Sequence, residues 1–257
     1  MTGQVPALLS RRYVHPRLDS KNFEKNSIYP FEPISQLSPV ELFEFLKLFY
    51  TLFFVWLTCL TAIFVFRRHL PSSYRWFVVF IILVSVIETV ANYLAFKLIK
   101  NHFLFNVIFA LELTFIPLFF KCWLRQPAIK KLITGYLFIF LTLVFANTIW
   151  FQGFYTMQTY TYALGGSFVL FLSFVYLREL YIDEETQNIF RNPLFWFSIA
   201  FLIHFAVNIP YFGMLNYLVK NQLKFATKYY LLIMDGAICL YNILLTVGFL
   251  CMKAKVR

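Results

Sequence analysis

Hydrophobic positions in this chain fall into seven long blocks, separated by short clusters of Lys, Arg, Asn, Pro and Gly. The blocks lie at about 42–66, 76–97, 102–123, 132–151, 156–177, 193–218 and 229–252, each near the ~20 residues a helix needs to cross a bilayer. From Leu132 to Leu177 there is no Asp, Glu, Lys or Arg, a stretch too long for one helix and suited to two. Phe151-Gln152-Gly153-Phe154 supplies the turn between them. The runs are continuous and do not alternate with polar residues, which predicts helices and not barrel strands. The expected fold is all-α, a polytopic membrane protein with a seven-transmembrane-helix bundle over residues 39–257. Residues 1–38 read as a polar, basic tail with too little apolar content to fold alone.

Composition removes the soluble alternatives: 60% of residues are hydrophobic, only 14% are charged, and the mean hydropathy is +0.68. The formal net charge of +11 would suggest nucleic acid in a soluble chain. Here the Lys and Arg residues sit between apolar runs, so the lipid bilayer is the expected partner and nucleic acid is not. Cys59, Cys122, Cys239 and Cys251 show no CxxC spacing and read as buried free thiols. No signal-peptide pattern precedes the first span.

The positive-inside rule sets the expected orientation. Arg67, Arg68, Arg75, Lys121, Arg125, Lys130, Lys131, Arg178, Arg191, Lys253, Lys255 and Arg257 collect at one face; Lys47, Lys97, Lys100, Lys220, Lys224 and Lys228 collect at the other. The richer face is taken as cytoplasmic, placing the C-terminus inside and the N-terminus outside, although Arg11, Arg12, Arg17, Lys21 and Lys25 of the tail oppose this count. Trp76, Trp123 and Trp196 mark one interface and Trp150 the other. Lys47 is expected to snorkel, and the run Asp183-Glu184-Glu185 to lie in a solvated loop.

Ionisable groups in a spanning helix are costly unless paired or hydrated, so each is a functional candidate. Glu88, Glu112 and Asp235 fall within the second, third and seventh blocks, and His204 within the sixth. Helical spacing aligns Ser85, Glu88 and Asn92 on one stripe, and Asp235, Cys239, Asn242 and Thr246 on another. The candidate ligand- or proton-binding residues are therefore Glu88, Asn92, Glu112, His204, Asn208, Asp235 and Asn242. At ~1.5 Å per residue Glu88, Asn92, Asn106, Glu112, Asn147, His204, Asn208 and Asp235 lie near the midplane or in the outer half. They predict a polar cavity there, opening away from the cytoplasm, with Phe and Tyr walls and apolar inner halves below it. Interhelical hydrogen bonding is the competing explanation, above all for Asn92, Asn106, Asn147, Asn208 and Asn242. Pro117 and Pro210 are expected to kink their helices, and Gly165-Gly166 to permit close helix approach.

No catalytic, metal or cofactor motif is evident. The last block lacks the lysine of a retinal protein. One deep histidine is too few for bis-histidine haem or a seven-helix zinc hydrolase, and no GxSxG-like element exists. An enzyme is therefore not expected, nor a cofactor.

Five segments carry a family resemblance: Glu88-x3-Asn92-Tyr93, the Asn106 to Glu112 segment, Phe151-Gln152-Gly153-Phe154-Tyr155, Asn192-Pro193-Leu194-Phe195-Trp196 and Tyr211-Phe212-Gly213-x2-Asn216-Tyr217-Leu218. On these residues, the chain from about 42 onward resembles an uncharacterised seven-helix integral membrane protein family of Bacteroidota. The resemblance implies a bacterial inner membrane and contributes no activity.

The function expected is that of a receptor-like or signalling-accessory protein, sensing a small ligand, lipid or proton. Loops of roughly 8 to 15 residues are too short for a domain with its own core, so output requires a partner such as a membrane signalling protein. The alternative is a SWEET-like 3+1+3 small-solute transporter, in which Glu88-x3-Asn92 with Glu112 is echoed by His204-x3-Asn208 with Asp235. A structural subunit of a membrane complex is the third reading. The sequence does not fix the oligomeric state.

Overall fold

A backbone in an apolar medium must satisfy its own hydrogen bonds, and helices do so within each segment. The computed structural model describes residues 39–66, 71–97, 99, 101–182, 188–220 and 224–252, without the side chains of 39–49, 95, 96, 215, 216, 218–220 and 224–231. Over these residues there are seven α-helices and no strand. They are α1 (Pro39–Phe66), α2 (Ser72–Phe96), α3 (His102–Trp123), α4 (Pro127–Ala146), α5 (Thr159–Ile182), α6 (Pro193–Lys220) and α7 (Lys224–Leu250). A π turn, Asn147–Phe151, prolongs α4, and a 3-10 turn, Ile189–Arg191, precedes α6. Six stretches are long and apolar enough to cross a membrane: Ser72–Leu94, His102–Trp123, Pro127–Phe151, Thr159–Ile182, Pro193–Met214 and Leu232–Leu250. The apolar part described in α1, Tyr50–Phe66, is shorter.

Apolar content marks the lipid-compatible part of a helix and not its ends. Accordingly α2, α4 and α7 begin earlier than their apolar blocks, and α5 both begins and ends later. Pro127 occupies the first turn of α4, where its missing N–H costs nothing. The connections 67–71 and 124–126 are in consequence shorter than expected, whereas 183–192 lies within expectation. The tail 1–38, the run Asp183-Glu184-Glu185, and Arg67, Arg68, Lys100, Lys253, Lys255 and Arg257 lie outside the described residues, as do the side chains of Lys47, Lys220, Lys224 and Lys228.

Helix packing forms a closed ring. Each of α1, α2 and α3 packs on the next, α3 continues to α5, α5 to α6, α6 to α7, and α7 returns to α1. The fourth helix stands outside this ring, seated on α3 and, over a smaller contact, on α5. Only Ile133 and Phe140 of α4 are buried, while its Phe138 is 77% exposed. Such exposed apolar faces, continued by Phe53, Phe64, Trp76 and Phe174 on other helices, match a lipid surround. Cys122 also faces outward, correcting the expectation of a buried thiol.

Small residues set the closest contacts. A Cβ on Gly165 would come within 2.7 Å of Leu113 Cδ1, and one on Gly166 within 2.9 Å of Phe205 Cδ1. The pair therefore brings α5 against α3 on one side and α6 on the other, as the sequence suggested. Gly248 does the same for α7, since its added Cβ would meet the Phe197 ring of α6. At the α1–α7 seam the Thr58 hydroxyl lies 2.9 Å from the Asn242 carbonyl and 3.0 Å from the Thr246 hydroxyl. Pro117 removes the donor that would reach the Leu113 carbonyl four residues back. That carbonyl accepts instead from the Tyr136 hydroxyl of α4 at 3.1 Å, so the proline creates the acceptor that seats the outlying helix.

Filling the α6–α7 contact should be costly. Gly248→Val is expected to destabilise the detergent-solubilised protein by about 1–3 kcal/mol. Gly213→Ala, where a Cβ meets nothing within 4 Å, should leave the melting temperature nearly unchanged. Equal melting of the two variants would refute the close approach.

Candidate functional site

Three layers fill the ring along its axis. Nearest the end where α7 terminates, phenylalanines from four helices close the interior. Phe77 of α2 lies 4.4 Å from Phe119 of α3, 4.8 Å from Phe197 of α6 and 5.6 Å from Phe249 of α7, between ring centroids. Phe80 stacks on Phe115 at 4.3 Å immediately beyond.

Above it lies the polar layer. Glu112 of α3 is 8% exposed, and Glu88 of α2 is near enough for its carboxyl to bear on Glu112 electrostatically. Tyr241 of α7 is buried within reach of both acids and of Tyr162 of α5. Tyr162, only 1% exposed, lies near Glu112 and the Asn208 amide. His204 and Asn208 share one face of α6: the Asn208 Nδ2 is 3.2 Å from the imidazole nitrogens, and the imidazole packs on Tyr241 at 4.6 Å. Five helices thus bring their polar groups to one place. Glu88 and His204 are each half-buried.

A second aromatic layer follows. Phe109, Tyr162 and Phe212 form a triangle with centroids 4.4, 4.5 and 5.5 Å apart, covering the acids on the α3–α5–α6 side. Beyond it a polar clasp fixes the α4–α5 turn. Asn106 Nδ2 donates to the carbonyls of Phe154 (2.9 Å) and Thr156 (2.7 Å), and its Oδ1 accepts from the Gln158 backbone N–H at 3.0 Å. Gln152 continues the clasp, accepting from Asn147 Nδ2 and donating to Thr159, both at 3.0 Å. Gly153 adopts φ +77°, a left-handed conformation that suits glycine and lets this turn form.

The seven sequence candidates therefore divide. Glu88, Glu112, His204 and Asn208 meet in the polar layer. Asp235 acts instead on Tyr211 of α6 and on Cys239 one turn along its own helix. Asn92 and Asn242 bond within their own helices. Each amide donates to the carbonyl four residues back, to Glu88 and Ile238 respectively, at 2.9 Å, because an i−4 carbonyl is the nearest acceptor for a short side chain on a helix. The stripe of Asn242 and Thr246 faces α1 through Thr58. Two participants were not singled out, Tyr162 and Tyr241, whose only signal was a phenol at bilayer depth. Glu179 was missed too; it accepts the Arg125 backbone N–H at 3.0 Å and so ties the α3–α4 turn to α5.

No protein-family model, curated protein or solved structure matches the chain. Its class rests on the fold: a helical bundle of multi-pass membrane type, enclosing a polar layer between two aromatic ones. Among the described residues no three His, Cys, Asp or Glu side chains are grouped to hold a metal ion.

The clasp is structural and should behave so. Asn106→Leu removes the donor to two part-buried carbonyls and the acceptor of the buried Gln158 N–H, with an expected loss of about 1–3 kcal/mol. Limited proteolysis should then cut within residues 152–157; an uncut, equally stable variant would show the clasp to be dispensable.

Proposed function

We propose that this protein is a receptor-like or signalling-accessory membrane protein, in which the interior polar layer takes up a small ligand or proton and the bundle passes the change to a partner. The observation that carries this reading is the convergence of Glu88, Glu112, Tyr162, His204, Asn208 and Tyr241 from five helices above a phenylalanine-filled half. Interhelical glue is made more cheaply by neutral amides and hydroxyls, as at Thr58 and Asn106, so a buried carboxyl at Glu112 with a half-buried one at Glu88 calls for another role. A ligand touching five helices would alter their mutual packing. The connections 67–71, 124–126 and 183–192 are too short to form a separate output domain, so contact with a membrane signalling protein supplies the output.

The proposal includes a seven-span topology, with α1 as the seventh span, and an N-out, C-in orientation in a bacterial inner membrane. It accords with the resemblance to the Bacteroidota family. Trp76, Trp123 and Trp196 fall at the same bundle end as the Arg75, Lys121 and Arg191 positions, which supports the span boundaries, while the basic residues support the orientation.

A 3+1+3 transporter is the second reading, and the ring favours it specifically: α1–α3 and α5–α7 complete the circle while α4 stands outside. The phenylalanine layer argues for the receptor, because transport requires the interior to open at both ends.

Thermal unfolding against metabolites and lipids and across a pH series tests the proposal. A compound that stabilises wild type but not Glu112→Gln is expected, by about 2.7 kcal/mol at a hundredfold excess over Kd. No stabilisation by any compound or pH, with the variant melting like wild type, would instead favour a structural subunit. Uptake of the stabilising compound into proteoliposomes would select the transporter.

A further inference from the structure

Away from the interior layer, a cluster of cations lies where the end of α3 meets the start of α4. The Lys121 ammonium, in the last turn of α3, donates to the Thr134 hydroxyl of α4 at 2.8 Å, and that hydroxyl donates to the Lys130 carbonyl at 3.0 Å. Lys130 and Lys131 precede Thr134 by four and three residues, so helical geometry sets them on the face where Lys121 docks. Arg125 adds a cation from the turn between the helices. The acid that touches this turn, Glu179 of α5, accepts the Arg125 backbone N–H at 3.0 Å. Among the described residues no ion pair neutralises Lys121, Lys130 or Lys131, and the chain has no Asp or Glu from residue 113 to 178.

This arrangement is unfavourable by itself. The first turn of a helix favours anions, yet α4 opens with no acid and no side-chain cap, and places Lys130 and Lys131 immediately after Ile129. A lysine near a helix end is able to extend into the headgroups, away from other cations, but Lys121 is held beside these two. An anion seated among them removes the repulsion and complements the start of α4. Deeper toward the bilayer the same seam turns apolar. Leu118 of α3 and Leu132, Phe138 and Ile139 of α4 are exposed, and Gly135, one turn beyond Lys131, leaves an open notch in which an added Cβ would meet nothing within 4 Å. The charges select a phosphate, and the adjoining apolar surface selects one that carries acyl chains.

We propose that the α3–α4 seam is a binding site for an anionic phospholipid, with Lys121, Lys130 and Lys131 holding the headgroup phosphate and Arg125 at its rim. The site is separate from the interior layer and does not depend on what that layer binds. The bound lipid fastens α4, which buries only Ile133 and Phe140, to the ring.

The full chain, purified in neutral detergent, is titrated with phosphatidylglycerol, with phosphatidylcholine of the same acyl chains and with inorganic phosphate. Thermal unfolding and native mass spectrometry read stability and the number of lipids bound. Saturable binding of phosphatidylglycerol is expected, with affinity at least about tenfold weaker in the Lys130→Gln, Lys131→Gln double variant and also weakened in Lys121→Gln. The Arg75→Gln, Arg191→Gln pair removes the same charge from the same end of the bundle and should keep the affinity within about threefold of wild type. Should the lysine double variant fail to fold, Lys121→Gln and the arginine pair decide. Equal weakening by the lysine and arginine variants would reveal diffuse surface charge and overturn the site, as would equal binding of phosphatidylcholine. Inorganic phosphate that stabilises as well as phosphatidylglycerol would make the ligand a free anion and overturn the lipid.

Discussion

A carboxyl group cannot be left against lipid, and this constraint organises the bundle. Glu88 and Glu112 stand on two neighbouring helices, so both must turn the same way, toward a shared interior that other helices close off. The ring of α1, α2, α3, α5, α6 and α7 provides that enclosure. The fourth helix, without an acid along its length, has nothing to hide and can present apolar faces outward.

Polar groups in the rest of the bundle do different work, and the difference is visible in their partners. Thr58, Asn106, Tyr136 and Gln152 each reach a backbone or side-chain partner at 2.7–3.1 Å and hold two segments together. Asn92 and Asn242 satisfy themselves on their own helices. The interior layer alone combines paired acids with an amide oxygen that finds no donor. The phenylalanines below it pack ring to ring across α2, α3, α6 and α7, which gives the layer a floor. Aromatic faces also approach it from the opposite side, so the acids are bounded in both directions along the axis.

Helix number was legible because continuous apolar runs have one backbone solution in lipid. For α3 even the ends coincide with the apolar block, because His102 and Trp123 bound it sharply. Polar first turns hid the starts of α4 and α7. Glu88, Glu112, His204 and Asn208 could be named in advance because a costly residue announces itself by its chemistry. Tyr162 and Tyr241 could not, since a tyrosine reads equally as a wall or as a hydroxyl. Helical spacing shows which residues share a face, not which neighbour that face meets: Thr246, on the stripe of Asn242, meets Thr58 of α1. The peripheral position of α4 was equally hidden: lipid and protein interior are alike in hydrophobicity, so apolar content does not distinguish a ring helix from an outlier.

The central claim is that Glu88 and Glu112 share one enclosed interior and act on each other there. The most direct measurement is a double-mutant cycle in thermal unfolding of wild type, Glu88→Gln, Glu112→Gln and the double variant in the same lipid. The account predicts a coupling of at least about 0.5 kcal/mol, with either single substitution relieving most of the repulsion and the second adding little. Additivity within about 0.3 kcal/mol would mean that the two acids do not sense each other, and would contradict the account.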